Sequence, residues 1–279
     1  MRAVKLVGKK QLATVETDTP KTDGNQVIIK VSRVGICGSD IHIWEKGERS
    51  ELIMGHEFCG TVVDPGALKD TISVGDRVAV IPLNPCGKCG PCTSGQPKYC
   101  VNSLAASPGV TATGGYAEYY AARPYMVRKL PDEMSDDEAA MIEPTAVALR
   151  AVRLAGFKPG DKVLVTGGGI IGLLCAAWSR IYGASYLALT EANPLRVENA
   201  LKMGDVDAVF DATDQQLVPK LIEATGGGFD HVLECAAVAP AVNTGIMALK
   251  KNRPHGSGGS ELRVGTHQYP ACGAARVGT

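Results

Sequence analysis

The segment "VLVTGGGIIGLL", residues 163–174, restricts the fold more than any other stretch of the 279-residue chain. An apolar run ends in Gly167, Gly169 and Gly172, and a helix-forming run follows. At this G-x-G-x-x-G spacing the backbone can approach a pyrophosphate at a helix N-terminus, provided a strand precedes and a helix follows. The surrounding sequence meets both conditions. "KVLVTG", "YLALTE", "VDAVFD" and "FDHVLECAA" read as apolar strands, and "IIGLLCAAWSRIYGA", "NPLRVENALKMG" and "DQQLVPKLIEATG" as helices between them. Strands alternating with helices of that length form right-handed βαβ units on a parallel sheet. Near-continuous apolar strands suit a sheet covered on both faces. Residues 151–251 are therefore expected to form a nucleotide-binding α/β domain. Glu191 closes the second strand, where an acid accepts hydrogen bonds from the adenosine ribose diol and repels a 2′-phosphate, favouring NAD over NADP. Taken alone, Glu191 also reads as a solvated strand-end acid. Ile170 and Ile171 fill the turn between Gly169 and Gly172 and join the cofactor-binding set. Arg196 either stacks near the adenine or faces solvent.

Residues 1–150 have a different texture. "QVIIKVSRVGIC", "GTVVD", "DRVAVIP" and "AEYYAARPYMVRKLP" are short β-rich runs broken by Gly, Pro, Asp and Asn. No helix of ordinary length is expected before "SDDEAAMIEPTAVALRAVRLAG". There Ser135 is a candidate N-cap, and the acids of the first turn suit the helix dipole.

Of the nine cysteines, Cys86, Cys89, Cys92 and Cys100 crowd into "CGKCGPCTSGQPKYC". In a chain whose start, "MRAVKLVGKKQLATVE", is too polar for a secretory signal, such a cluster reads as a metal site before a disulfide framework. Four thiolates close a tetrahedral shell around zinc and leave no place for substrate, so the lobe at 85–101 is read as structural; an iron–sulfur cluster is the rarer alternative. Cys37, His56, Glu57 and Glu143 supply a thiolate, an imidazole and carboxylates, and three such ligands with an open position make a catalytic zinc site. Each alone has a plainer reading, as a small core residue, a satisfied histidine or a helix-surface acid. Cys59, Cys175 and Cys235 read as packing, and His231 as a strand-end surface residue.

Charge is balanced, with 29 basic and 29 acidic residues and no long run of either sign, which argues against a nucleic-acid or membrane-surface role. No apolar run is long enough for a transmembrane helix. A cytoplasmic location is the expectation.

"GICGSDIH", "GHEFCG", the four-cysteine lobe, "EP" at 143–144 and the glycine fingerprint follow one another in an order that resembles the zinc-dependent medium-chain alcohol/polyol dehydrogenases. The resemblance covers residues 1 to about 250. It implies an N-terminal GroES-like β domain carrying two zinc ions, then a Rossmann doubly wound parallel sheet binding NAD. It implies that Cys37 and His56 hold the catalytic zinc with Glu57 or Glu143, and that Ser39 and His42 relay the substrate proton. Glu143 stands where polyol-, butanediol- and threonine-type enzymes have glutamate, which points to hydride transfer from a polyol or secondary alcohol to NAD, as in sorbitol dehydrogenases. Threonine 3-dehydrogenase and butanediol dehydrogenase are the alternatives within the class. A zinc- and nucleotide-binding protein without turnover is the alternative outside it. Homodimers or homotetramers are usual in the family, although the late strands that form the interface there are expected to be missing here.

The pattern changes after "IMALKK". From Asn252 to Thr279 the only large apolar residues are Leu262, Val264, Tyr269 and Val277. A partial Rossmann sheet followed by an irregular tail, residues 252–279, is expected. The tail is read as disordered or frame-shifted, since codons for Arg-Pro-His-Gly-Ser-Gly-Gly read one base later permit Gly-Arg-Met-Val-Leu-Val-Gly, an apolar strand.

Overall fold

The computed structural model describes residues 1–251 and 261–264. Two compact units divide at Glu143 and Pro144, slightly before the boundary expected at 150.

In the first unit, β1 (Arg2–Gly8) and β2 (Gln11–Glu16) form an antiparallel hairpin. Strands β3 (Val27–Val34), β4 (Phe58–Asp64), β5 (Arg77–Val80), β6 (Tyr119–Ala122) and β7 (Val127–Lys129) make an antiparallel sheet in the order β6-β3-β4-β5-β7. Alternate residues such as Val27, Ile29, Val78 and Val80 enter one core with Phe58, Val62 and Tyr120, as the two-residue period of a strand requires. This is the GroES-like architecture.

The expectation of no early helix is corrected by α1 (Gly38–Lys46). Cys37 is its N-cap, and the Asp40 carboxylate accepts the Cys37 backbone N–H at 2.9 Å. Gly47, at φ 70°, ends it in a left-handed turn whose N–H reaches the Ile43 carbonyl. Two further short helices, α2 (Gly90–Thr93) and α3 (Val101–Leu104), belong to the cysteine lobe. The single helix expected from Ser135 is two, α4 (Asp136–Ala140) and α5 (Ile142–Ala155). Ser135 does cap α4, accepting the Glu138 N–H while its own N–H reaches the Glu138 carboxylate. Pro144 has no N–H to return to the Ala140 carbonyl, so the helical ladder is interrupted there.

The second unit runs β8 (Lys162–Thr166), α6 (Ile170–Ile181), β9 (Tyr186–Glu191), α7 (Pro194–Met203), β10 (Ala208–Asp211), α8 (Leu217–Thr225), β11 (His231–Glu234), α9 (Ala239–Ala248) and β12 (Glu261–Val264). All strands are parallel, in the order β10-β9-β8-β11-β12. One core places Val163, Val165, Leu187 and Leu233 against Ala148, Val152 and Cys175. A second places Leu164, Ala188 and Val232 against Leu217, Leu221 and Ala248. Both faces are covered, which is why the strands read as unbroken apolar runs. Strand order reverses between β8 and β11, so the ligand-binding crevice of this fold lies at their carboxyl ends.

The tail departs from expectation within Glu261–Val264, which pairs parallel with β11 from His231↔Glu261 to Glu234↔Val264. The alternation Glu-Leu-Arg-Val suffices for four paired residues. The rest of the expected irregular or frame-shifted tail lies outside the described residues. Among those residues, no helix is long and apolar enough to cross a membrane.

Candidate active site

Three buried side chains meet where β3 gives way to α1 and where the chain enters β4. Cys37 Sγ, a His56 ring nitrogen and a Glu57 carboxylate oxygen lie within 4.8 Å of one another. Local backbone demands bring them together. The Gly35 N–H donates to the Glu57 carbonyl at 2.7 Å, and a Cβ on Gly35 would stand 2.4 Å from Glu57 Oε2. Gly55, at φ 88°, precedes His56 and has room only for hydrogen, because a Cβ would meet the Tyr116 ring at 2.6 Å.

Asp40, 2 % exposed, ties the cluster together. Its Oδ2 accepts the Cys37 N–H at 2.9 Å and the Tyr116 hydroxyl at 3.2 Å, while its Oδ1 faces His56 Nδ1 at 3.7 Å. Burial pushes the His56 pKa down, but the Cys37 hydrogen bond and the charges of Cys37, Asp40 and Glu57 outweigh it and hold the imidazole above its ordinary value. Burial, and then Asp40, raise the Tyr116 pKa, so its hydroxyl stays a donor. Asp40 Oδ1 and His56 Nδ1 are buried without hydrogen-bond partners. A soft thiol, an imidazole and a carboxylate, out of water and drawing positive charge, are a donor set that suits zinc.

Of the other residues expected here, Ser39 lies in the first turn of α1 with its hydroxyl oxygen buried and unpartnered. His42 is exposed on the same helix. Glu143 is half-buried in the first turn of α5 and is not among the three residues whose ligand atoms gather. Nothing in the sequence marks Asp40 and Tyr116 as site residues beyond the Cys37-x-x-Asp40 spacing, a variant of the capping box.

The ligand atoms of Cys86, Cys89, Cys92 and Cys100 also lie within 4.8 Å of one another. The Lys88 N–H, the Asn102 amide and the Cys89 N–H lower the Cys86 pKa to about 6. The Cys86 N–H reaches Cys100 Sγ at 3.3 Å and lowers that thiol too. Cys89 goes the other way, to about 12: the Cys92 N–H favours its thiolate, but desolvation and the surrounding sulfurs prevail. A thiolate-rich cluster held by backbone N–H groups fits a four-sulfur metal shell.

In the second unit, Gly167 follows β8 at φ 98°, and Gly169 is the N-cap of α6. A Cβ on Gly172 would stand 1.8 Å from the Gly167 carbonyl oxygen, so the turn closes only around glycine. Ile170 is exposed at the helix start, whereas Ile171 is buried in the core. Glu191 is 8 % exposed and not the solvated acid of its plainer reading. Its Oε2 accepts the Gly168 N–H at 2.7 Å, and its Oε1 accepts those of Ala192 and Asn193 at 2.8 Å. Burial would raise its pKa, but these donors and Arg196, 3.8 Å away, hold it below the ordinary value. The fingerprint turn and the acid are thus bonded to each other.

His231 is corrected from a surface residue. It is buried, bonds Asp161 Oδ2 through Nε2 at 3.0 Å and packs on Phe157. Cys59 and Cys175 are buried in apolar clusters, and Cys235 packs against one.

The family models for the alcohol dehydrogenase GroES-like domain and for zinc-binding dehydrogenases match residues 23–132 and 171–253. The probable D-xylulose reductase A of Aspergillus clavatus is 35% identical over 249 residues, 85% of this chain and 69% of that protein. The 2R,3R-butanediol dehydrogenase of Bacillus subtilis shares 32% identity at a TM-score of 0.80, covering 94% of this chain and 76% of its own. Galactitol-1-phosphate dehydrogenase of Escherichia coli gives 27% and 0.84, covering 96% and 77%. The chain belongs to the zinc-binding medium-chain alcohol/polyol dehydrogenases, oxidoreductases that work with zinc and a nicotinamide dinucleotide.

Proposed function

We propose that this protein oxidises a polyol or other secondary alcohol to a ketone, with NAD as hydride acceptor. The buried Cys37–His56–Glu57 cluster carries this reading, because its donors suit a catalytic rather than a closed metal site. Relatives named for D-xylulose and 2R,3R-butanediol support the substrate class.

Cys37, His56 and Glu57 would hold the catalytic zinc, and the four-cysteine lobe the structural one. Zinc bound to the first cluster supplies Lewis-acid polarisation of the substrate hydroxyl and lowers its pKa. The Asp40 carboxylate faces His56 on the Nδ1 side, 3.7 Å away, which would leave the other ring nitrogen for the metal. Ser39, whose Oγ is buried and otherwise unpartnered, would accept a hydrogen bond from the substrate hydroxyl and, on taking that proton, pass its own hydroxyl proton onward. His42 lies one helical turn further along α1 and is exposed, so it is placed to pass a proton to solvent. The glycine turn would receive the pyrophosphate, and Glu191 the adenosine ribose. The ionised Glu191 favours NAD over NADP, offset in part by Arg196.

Expected results are two zinc ions per chain and NADH formation on a panel of polyols, butanediols and threonine. Cys37→Ser and His56→Ala should each remove turnover and one zinc while NADH binding persists. Full turnover in either variant would refute the assignment of the cluster. Two bound zinc ions and bound NADH with no turnover on any panel member would favour a binding protein.

A further inference from the structure

Glu234 ends β11 and is 0 % exposed. A carboxylate taken fully out of water needs compensation at its oxygens. Its Oε1 has it, accepting the N–H groups of Ala236 at 2.8 Å and Ala237 at 2.9 Å. Its Oε2 is buried with no partner. Glu234 is in register with Thr166, the last residue of β8, which is also 0 % exposed and whose Oγ1 also has no partner. In-register residues of a parallel pair rise from the same face. Two positions earlier on that face, Val232 and Leu164 share an apolar core. The acid and the hydroxyl therefore cap this core at the carboxyl ends of the two strands between which the sheet order reverses.

The turn that Glu234 holds is unusual. Ala237 has φ 57°, a left-handed conformation that a Cβ disfavours. Two successive N–H groups converging on one oxygen form a concavity that suits an anion, and the carboxylate fills it. This turn also leans on the glycine fingerprint. The Cys235 N–H donates to the Thr166 carbonyl at 2.8 Å. A Cβ on Gly167 would lie 2.8 Å from the Ala236 nitrogen and 3.0 Å from its Cβ.

We propose that Glu234 is a positioning residue for the dinucleotide: it holds the Cys235–Ala237 turn against Gly167 and so sets the backbone that receives the pyrophosphate. This rests on the reading that the second unit binds NAD. Being buried, Glu234 acts through the turn and does not touch the cofactor. The role requires an acceptor, not bulk alone. Glutamine keeps the Oε1 acceptor and brings an N–H₂ donor to the Thr166 side. Leucine fills comparable space and accepts nothing.

The test uses the zinc-loaded full chain and NADH fluorescence titration. Glu234→Gln should bind NADH within about twofold of the parent, and Glu234→Leu about tenfold more weakly, as loss of two buried hydrogen bonds implies. The KM for NAD should rise in the leucine variant with kcat little changed. Val232→Ala, a cavity in the same strand and face, should lower the Tm yet leave NADH binding within about twofold, separating positioning from stability. In the parent, hydrogen exchange at the Ala236 and Ala237 amides should be slow with or without NADH. Parent-like NADH binding by Glu234→Leu overturns the proposal, and so does fast exchange at both amides. Should Glu234→Leu not fold, the parent and Glu234→Gln exchange data decide. A parent chain that binds no NADH overturns the NAD reading itself, while amide exchange still decides whether Glu234 holds the turn.

Discussion

Tyr116 shows how far the proposed zinc site extends beyond its candidate ligands. Its ring lies where a Gly55 side chain would be, beside His56, and its hydroxyl reaches the Gly35 carbonyl at 3.1 Å and Asp40 at 3.2 Å. Tyr116→Phe keeps the ring and deletes the hydroxyl. Loss of a carboxylate charge beside a candidate metal-binding histidine, 3.7 Å from its Nδ1, should weaken metal binding about 10-fold or more, which is the expectation for Asp40→Asn. Tyr116 is one bond further out and still leaves Asp40 the Cys37 N–H. About threefold weaker zinc retention is expected, read by competition with a chromophoric chelator. Equal retention in Tyr116→Phe would show that Asp40 needs no second donor. Glu191 offers a second residue-scale experiment. Glu191→Ala removes the charge that repels a 2′-phosphate and frees Arg196, so the kcat/KM ratio of NADP to NAD should rise at least about tenfold. A ratio unchanged by the substitution would mean that the acid does not face the ribose.

The elements differ in what holds them, and so in how they fail. Helix α6 begins on a turn in which a Cβ on Gly172 would sit 1.8 Å from a carbonyl oxygen. Gly172→Ala must therefore displace that turn, and NADH binding should be lost while the first unit keeps its zinc. Helix α4 depends on its capping box, so Ser135→Ala should cost about 1 kcal/mol in urea unfolding. These two starts could be read from sequence, because glycine spacing and a Ser-x-x-Glu box are local patterns. The strands β8, β9 and β11 could be read for a related reason: burial on both faces demands unbroken apolar runs. Helix α1 could not. Asp40 is its one buried residue, so no apolar stripe marks it, and its cap is a cysteine. Nor could the environments of His231 and Asp40 be read. Their partners Asp161 and Tyr116 are 70 and 76 residues away in the chain, a separation that only the folded sheets close.

At the scale of the whole molecule, charge should act on the two units alike and metal should act on them differently. Asp136 is held below the ordinary carboxylate pKa by its hydrogen bond to Arg77 in the first unit. In the second unit Asp207 is lowered by Arg180 and the Leu187 N–H, against desolvation, and Glu191 by its backbone donors. A carboxyl depressed in the folded state stabilises at pH above its unfolded value, and that contribution is lost as pH falls through the folded value. Both units should thus be steady from neutral pH to about 5 and weaken below about 4. Zinc should divide them. Both clusters with metal-ligand geometry among the described residues lie in the first unit, and each unit has its own apolar cores. Where a metal closes a lobe, its binding energy is folding energy. Cys86, lowered to about 6, favours the thiolate at neutral pH, whereas Cys89, raised to about 12, would have to release its proton to solvent in order to bind a metal. Zinc uptake should therefore release protons and weaken as pH falls. Chelation at neutral pH should abolish turnover and lower the melting temperature of the first unit, yet leave NADH fluorescence titrations within about twofold of the zinc-loaded protein. Loss of NADH binding in step with zinc would mean that the glycine turn depends on the metal-bearing unit, and the two could no longer be treated as separately stabilised.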